Sequence, residues 1–436
     1  MSSQSVRLFV VAVRHMCGHS LVRHTGRQPS SSCGPGVLLQ RRAYSLDRGT
    51  AGQPQLQQAR KDRTPPSSSL NHRNLSAVAV SVQCEPLCKY DFLDVGEVDE
   101  NTQRAQSCRT TRRFIVDPAL ASLVTHHLGP DLEDSKAVLF ECNPGPGVLT
   151  RTLLNAGAQR VVALESEKVF LPDLQALENR VDGQLEVVHC DLFKLDPLKK
   201  VVMKPPAMYS DKLFTDLGIS EANWTDDVPA KVFSILTPSK ERKQLWQLLY
   251  SLYEQNSIFR YGRVELNFFI SECEYQKLTA KTGDALNYRA YVILWKLACH
   301  IELLHKEPWE SFVSSSKIKL FIPKGRFSND NMCLVRMTPR KDLFSSSLTT
   351  SNAPILFMML KQLMVRKRNR LADMLNVWNL DSGPTIMKAL GLSKKTKTGD
   401  VSPETYKLLF ELLNTCPDFT QSWLYQETLE SSWRGS

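Results

Sequence analysis

Five short apolar segments alternate with amphipathic segments through the middle of the chain, and this alternation predicts the fold. Each apolar segment has the length of a buried strand, and the segments between them repeat apolar residues at helical spacing. Strands that alternate with helices in this way form a mostly parallel sheet with helices on both faces, which is an α/β fold. The predicted strands span residues 137–142, 160–165, 185–190, 231–236 and 264–270, and the clearest predicted helices span 147–155 and 240–253.

From about residue 351 onward the pattern becomes purely helical. Apolar residues recur three and four positions apart around Leu356 and Leu360, and again from Tyr406 onward. This spacing is typical of helices that bury one face. We therefore expect an α/β domain over residues 111–345, followed by a small all-helical C-terminal domain over residues 346–436.

The N-terminal segment differs from the rest in composition. Its first 46 residues contain six arginines and neither lysine nor acidic residues. Such a segment is typical of a mitochondrial presequence, which we expect over residues 1–44 with cleavage after Tyr44; a basic disordered arm is the alternative. Residues 45–110 are rich in Gln, Ser and Pro and predict a disordered linker, because they bury too little apolar area to offset the cost of ordering.

Charge and cysteine content exclude some classes of function. The net charge is +10, and the six N-terminal arginines leave only +4 for the remainder, which argues weakly for a nucleic-acid partner. Cys84 and Cys88 form one isolated pair without a matching partner, so we predict no zinc site and favour a reduced compartment such as the mitochondrial matrix. No early apolar run approaches the roughly 20 residues of a membrane span, so we expect no membrane partner.

A candidate cofactor site lies at the carboxyl ends of the first three predicted strands. Gly145 and Gly147 follow the first strand, where they allow a sharp turn and close approach to a ligand. Glu165 ends the second strand and suits the two ribose hydroxyls of a nucleoside, while Asp191 follows the third and suits an adenine amino group. Because a third glycine is missing, the pattern favours a nucleoside such as S-adenosylmethionine over a dinucleotide. Two solvated strand-end acids are the alternative.

The motif Glu-x-x-Pro-Gly-Pro-Gly-x-Leu-Thr, with Val-Val-Ala-Leu-Glu165 and His-Cys-Asp191, resembles the rRNA adenine dimethyltransferases. This resemblance extends over residues 113–413 and is strongest to a mitochondrial branch of that family. It implies a Rossmann-like class I S-adenosylmethionine methyltransferase fold. It also implies cofactor contacts from Ile115, Asn143, Gly145, Glu165 and Asp191. Asn143 stands where the family has glycine, and Arg112-Arg113 stands where it has Gln-Asn.

The resemblance also predicts a degraded catalytic motif. The family carries Asn-Leu-Pro-Tyr after the fourth strand, which supplies a hydrogen-bond acceptor for the adenine amino group and a ring that stacks on the extruded base. The aligned residues here are Ser234, Ile235, Leu236, Thr237 and Pro238. Ile235 replaces the acceptor and Pro238 replaces the ring, with Ser234 as a substitute acceptor. We therefore expect weak or vestigial methyl transfer.

A basic run in the helical region is the candidate nucleic-acid contact. It comprises Arg366-Lys367-Arg368-Asn369-Arg370, and Lys394-Lys395-Thr396-Lys397 adds a second cluster. If the first run lies on one helix, Arg366 and Arg370 share a face and reach successive phosphates. A solvated basic face is the alternative. The resemblance favours Arg366 and Lys367 as DNA contacts.

Two functions follow from the resemblance. The first is a mitochondrial transcription initiation factor in the matrix nucleoid, acting with the mitochondrial RNA polymerase, promoter DNA and mitochondrial transcription factor A. The second is an active dimethyltransferase of two adjacent adenines in mitochondrial small-subunit rRNA. A sequence-independent RNA-binding protein is a third interpretation, which leaves the cofactor motif unexplained.

Overall fold

A seven-stranded mixed sheet is the centre of the fold in this computed structural model. The structure describes residues 94–129, 132, 134–197, 203–315, 331–378, 382–416, 419 and 425, so the predicted presequence and the linker up to residue 93 lie outside the described residues. The strands are β1 Arg113–Phe114, β2 Val138–Cys142, β3 Val161–Glu165, β4 Leu185–His189, β5 Ala230–Ile235, β6 Glu265–Ser271, β7 Cys299–Pro308, β8 Val313–Ser314 and β9 Asn331–Pro339.

The sheet has the order β4-β3-β2-β5-β6-β9-β7. Strands β2 to β6 run parallel to one another, and β9 runs antiparallel to both β6 and β7. The five parallel strands are the five predicted ones, and no strand end differs from the prediction by more than one residue. This Rossmann-like α/β sheet confirms the predicted fold class.

Helices cover the sheet and form the C-terminal region. Helix α6 (Glu241–Glu254) and helix α8 (Ala290–Ala298) pack against each other, and α8 also contacts α9 (Ala353–Val365) and α12 (Pro403–Asn414). The helices are α1 Val98–Ser107, α2 Pro118–Leu128, α3 Val148–Asn155, α4 Leu171–Glu178, α5 Ser210–Asp216, α6 Glu241–Glu254, α7 Glu272–Leu278, α8 Ala290–Ala298, α9 Ala353–Val365, α10 Leu371–Trp378, α11 Ser382–Ala389 and α12 Pro403–Asn414.

Helix α1 corrects the predicted linker. The linker was expected to run to residue 110, but α1 occupies residues 98–107 and its Ala105 is fully buried. Ala105 belongs to a small apolar cluster with Phe114 and Phe170. The prediction failed at this end because α1 is mostly polar and is held by a tertiary contact that composition does not reveal.

The helices predicted after residue 346 are present, but their core is continuous with that of the sheet. One hydrophobic cluster includes Leu249 of α6, Trp295 of α8, Leu356 of α9 and Tyr406 of α12. All the described residues accordingly belong to one compact unit. Among them, no helix is both long and apolar enough to cross a membrane.

Candidate functional site

A cleft opens at the carboxyl ends of β2, β4 and β5, where ligands bind in open parallel sheets. Its floor is the turn between β2 and α3. Asn143, Gly145 and Gly147 all adopt positive φ, at 60°, 62° and 76°. A Cβ on Gly145 would lie 2.4 Å from Cδ1 of Phe114, so glycine is required there by packing as well as by conformation.

Three of the five predicted cofactor residues line the cleft, namely Ile115, Asn143 and Asp191. Glu165 and Gly145 are not among the lining residues, although the Gly145 backbone N–H donates to Oε2 of Glu165. The other lining residues are Thr110, Thr111, Arg112, Arg113, Phe114, Glu141, Cys142, Pro144, Leu149, Ser166, Glu167, Phe193, Lys194, Phe233, Ser234, Ile235, Thr237, Lys240 and Gln244.

The Glu165 carboxylate is fully buried and already engaged. Its Oε1 accepts from Nη1 of Arg112 at 2.8 Å and from the Glu167 backbone N–H at 2.6 Å. Its Oε2 accepts from the Gly145 backbone N–H at 3.0 Å. Arg112 also donates to Oγ of Ser166, and only 11% of its side chain is exposed. The Arg112 side chain therefore covers the carboxylate that was expected to face the cleft.

Asp191 is held by its neighbours but stays accessible. Its Oδ1 accepts from the Phe193 backbone N–H at 3.1 Å, which caps a short 3-10 helix. Its Oδ2 lies 3.3 Å from Nζ of Lys194, and 17% of the side chain is exposed. A carboxylate oxygen has two lone pairs, so Asp191 retains acceptor capacity toward the cleft.

Asn143 supplies an observation that fits a bound cofactor. Its Oδ1 is buried and has no hydrogen-bond partner among the described residues. A buried acceptor without a partner costs about 1–3 kcal/mol, and a polar ligand in the cleft removes that cost. With the apolar wall of Ile115 and the acceptor Asp191, the site fits a nucleoside such as S-adenosylmethionine, provided that Arg112 moves away from Glu165.

Glu141 places an unusual acid at the back of the cleft. It is 2% exposed, and its Oε2 accepts from Oγ1 of Thr150 at 2.6 Å. Burial raises the pKa of the Glu141 carboxyl to about 7, and the Thr150 hydrogen bond only partly counteracts this effect. The carboxyl is therefore partly protonated near neutral pH.

The predicted catalytic motif divides between cleft and core. Ser234, Ile235 and Thr237 line the cleft, whereas Leu236 is 1% exposed and packs in the core. Oγ1 of Thr237 donates to the Thr111 carbonyl at 3.3 Å. Ile235 thus presents an alkyl group to the cleft at the position where the family has a hydrogen-bond acceptor.

The basic run corrects the prediction that Arg366 and Arg370 share a helix. Helix α9 ends at Val365, and residues 366–370 form a turn before α10. Arg366 is exposed, while Lys367 is half-buried with its Nζ 3.4 Å from the Tyr288 carbonyl oxygen. Burial lowers the pKa of Lys367, and Arg289 nearby lowers it further.

Backbone hydrogen bonds join the turn at residues 366–370 to the loop that carries the second basic cluster, residues 394–397. The Thr398 and Gly399 backbone N–H groups donate to the carbonyls of Asn369 and Lys367 at 3.0 and 2.8 Å. The backbones of Arg370 and Lys397 form an isolated antiparallel β-bridge. We call the six exposed cations brought together here the basic surface. They are Arg366, Arg368, Arg370, Lys394, Lys395 and Lys397.

Comparison with known proteins shows the family. The sequence model described as ribosomal RNA adenine dimethylase matches residues 106–415. The chain belongs to this family. Dimethyladenosine transferase 2, mitochondrial, from Homo sapiens is 42% identical over 325 residues, covering 73% of this chain and 82% of the relative. The protein of that name from Bos taurus is 38% identical over 353 residues, covering 79% and 88%.

A solved structure from Plasmodium falciparum, a dimethyladenosine transferase, aligns with 67% of this chain and 94% of its own, at 15% identity and a TM-score of 0.45. The names of the human and bovine relatives describe them as mitochondrial.

For this member of the rRNA adenine dimethylase family, the sequence left several cleft residues unassigned. Three further residues line the cleft but belong to neither the cofactor motif nor the catalytic motif, namely Phe193, Lys240 and Gln244. Their position after β4 and β5 was the available signal, since ligands gather at the carboxyl ends of parallel strands. Arg112 had a signal of its own, because it replaces a neutral family residue beside Ile115.

Proposed function

We propose that this chain binds S-adenosylmethionine in the cleft. Asp191 accepts from the adenine amino group, Ile115 packs against the adenine ring, Asn143 accepts from a polar group of the ligand, and Glu165 accepts from the ribose hydroxyls. When bound, S-adenosylmethionine supplies an activated methyl group on its sulfonium. The unsatisfied Oδ1 of Asn143 and the accessible carboxylate of Asp191 support this assignment.

We further propose that methyl transfer to adenine is weak. Ile235 offers no acceptor to the adenine amino group, and Pro238 offers no ring. Each lost interaction of about 1.4 kcal/mol in the transition state lowers the rate tenfold. The observation that carries this proposal is the combination of a retained cofactor wall with an alkyl group at the acceptor position.

The principal function that we propose is mitochondrial transcription initiation. In this role the chain acts in the matrix nucleoid with the mitochondrial RNA polymerase and mitochondrial transcription factor A to bind and melt promoter DNA. The basic surface supports DNA binding, because exposed cations that neutralise phosphates release counterions. Arg366 and Lys367 are the contacts expected first, with Arg366 the more exposed of the two.

The second candidate is dimethylation of two adjacent adenines in mitochondrial small-subunit rRNA. Family membership favours it, and so do Ser234 and Phe193, which place a hydroxyl and an aromatic ring in the same cleft. These groups are the available substitutes for the missing acceptor and ring.

Runoff transcription from a mitochondrial promoter separates the two candidates. Purified polymerase and mitochondrial transcription factor A are combined with wild-type chain, with Asp191→Ala or with no chain, and methyl transfer to an rRNA hairpin is measured in parallel. We expect the wild-type chain and Asp191→Ala both to yield promoter-dependent transcript, and we expect little methyl transfer from either. Efficient methyl transfer that Asp191→Ala abolishes, without any stimulation of transcription, would reject the transcription role.

The DNA assignment has its own test. We expect the double variant Arg366→Ala, Lys367→Ala to bind promoter DNA more weakly, with a salt dependence reduced by about two phosphate contacts. The matched control is Lys212→Ala with Arg260→Ala, which removes the same charge from exposed side chains around α5. Equal losses in both variants would mean that only net charge matters.

A further inference from the structure

The acceptor positions of Glu165 are nearly exhausted. A carboxylate offers about four lone-pair positions. Arg112, Glu167 and Gly145 already fill three of them in this structure. Two ribose hydroxyls need two acceptor positions, so one of these donors must leave when a nucleoside binds.

Of the three donors, only Arg112 is able to leave without distorting the backbone. Glu167 and Gly145 donate through their main-chain N–H groups, and the Gly145 turn is fixed by packing against Phe114. Arg112 donates through a long side chain that lines the cleft. Its own backbone is held separately, because its N–H donates to Oγ of Ser315 at 3.3 Å and its carbonyl accepts from the Ser315 N–H at 3.1 Å.

We propose that Arg112 sets the affinity of the cleft for S-adenosylmethionine by competing with the ribose hydroxyls for Glu165. This inference rests on the proposed cofactor binding. In the free protein the Arg112 guanidinium neutralises the buried carboxylate. Binding exchanges that charge-assisted pair for two neutral hydroxyl donors, so part of the intrinsic binding free energy is consumed in displacing Arg112.

The adjacent Arg113 does not share this role. Its Nη1 lies 2.6 Å from Sδ of Met332, and its guanidinium lies 5.6 Å from the centre of the Trp309 ring. Arg113 is thus directed away from Glu165. The competition is assigned to one side chain, at a position where the family resemblance places a neutral glutamine.

Calorimetric titration of the full chain with S-adenosylmethionine tests the proposal. We expect Arg112→Gln to bind at least roughly tenfold more tightly than wild type, which corresponds to about 1.4 kcal/mol. The control is Arg160→Gln, which breaks a half-exposed pair with Glu186 at the amino end of β3, away from the cleft. Its affinity should equal that of wild type.

Equal or weaker binding by Arg112→Gln than by wild type would overturn the competition while leaving the cofactor assignment intact. Binding by neither protein would reject both. Arg112→Lys serves as a second variant in case the glutamine variant folds poorly. Lysine keeps the positive charge but cannot form the planar guanidinium contact, so we expect Arg112→Lys to bind S-adenosylmethionine more tightly than wild type.

A measurement on the wild-type protein avoids substitution altogether. Phenylglyoxal modifies exposed arginines, and mass spectrometry locates the modified residue. If the ribose displaces Arg112, saturating S-adenosylmethionine should raise modification of Arg112 several-fold while leaving Arg160 unchanged. Unchanged or reduced modification of Arg112 in the presence of bound cofactor would contradict the competition.

Discussion

Glu141→Gln should stabilise the protein at alkaline pH and leave it nearly unchanged at acidic pH. The wild-type carboxyl has a pKa of about 7 in the folded chain, against an ordinary value of 4.5. Each pKa unit corresponds to about 1.4 kcal/mol, so burying the carboxylate instead of the acid costs about 3 kcal/mol. Glutamine has no charge to bury and still offers Thr150 an acceptor.

The sign follows from proton binding. Because the folded chain holds this proton more tightly than the unfolded chain, the wild-type protein is most stable with respect to this group below pH 4.5. Stability then falls as the pH rises and reaches its lower limit above about pH 7. The glutamine variant lacks this dependence, so the two proteins should diverge progressively between those limits.

Urea unfolding at pH 5, 6, 7 and 8 measures the effect directly. The variant's gain in free energy of unfolding should grow across that series toward about 3 kcal/mol, while the dependence on urea concentration stays the same. A pH-independent loss of stability in Glu141→Gln would refute the reasoning, because it would show that the carboxyl group makes a net favourable contribution to the free energy of unfolding at every pH.

Two further substitutions test packing and charge. Gly145→Ala should cost about 3 kcal/mol from the left-handed backbone and the clash with the ring behind it, whereas Gly218→Ala, with a similar φ and open space around it, should cost about 1 kcal/mol in thermal or urea unfolding. Arg242→Ala should cost about 2–3 kcal/mol because it removes a partner 2.8 Å from the buried carboxylate of Glu274, and Arg260→Ala, whose pairs are exposed, should cost about 1 kcal/mol or less. Equal costs within either pair would contradict the corresponding argument.

The central strands were predictable because they are buried on both faces and therefore consist of nearly continuous apolar residues. Strand β7 was not, because it lies at the sheet edge and consists almost entirely of half-buried and exposed residues, with charges at Glu302 and Lys306. Helix α1 was missed because its sequence is mostly polar, with Ala105 as its one buried apolar residue.

Part of the candidate site was predictable because the strand pattern was predictable. Strand ends place Glu165 and Asp191 at one edge of the sheet, so their positions follow from the strand pattern. The engagement of Glu165 did not follow, because its partner Arg112 lies 53 residues away in sequence and reaches it only after folding. The basic surface likewise depends on a hydrogen-bonded contact between two loops.

The uninterrupted apolar packing between sheet and C-terminal helices bears on how this protein can be shortened. A fragment that stopped at residue 345 would lose α9 and α12, which α8 contacts, and would expose apolar side chains of the cluster that these helices share with the sheet. Such a fragment should aggregate rather than act as a minimal methyltransferase module. Any transplant of the helical region onto another sheet must therefore carry α6 and α8 with it.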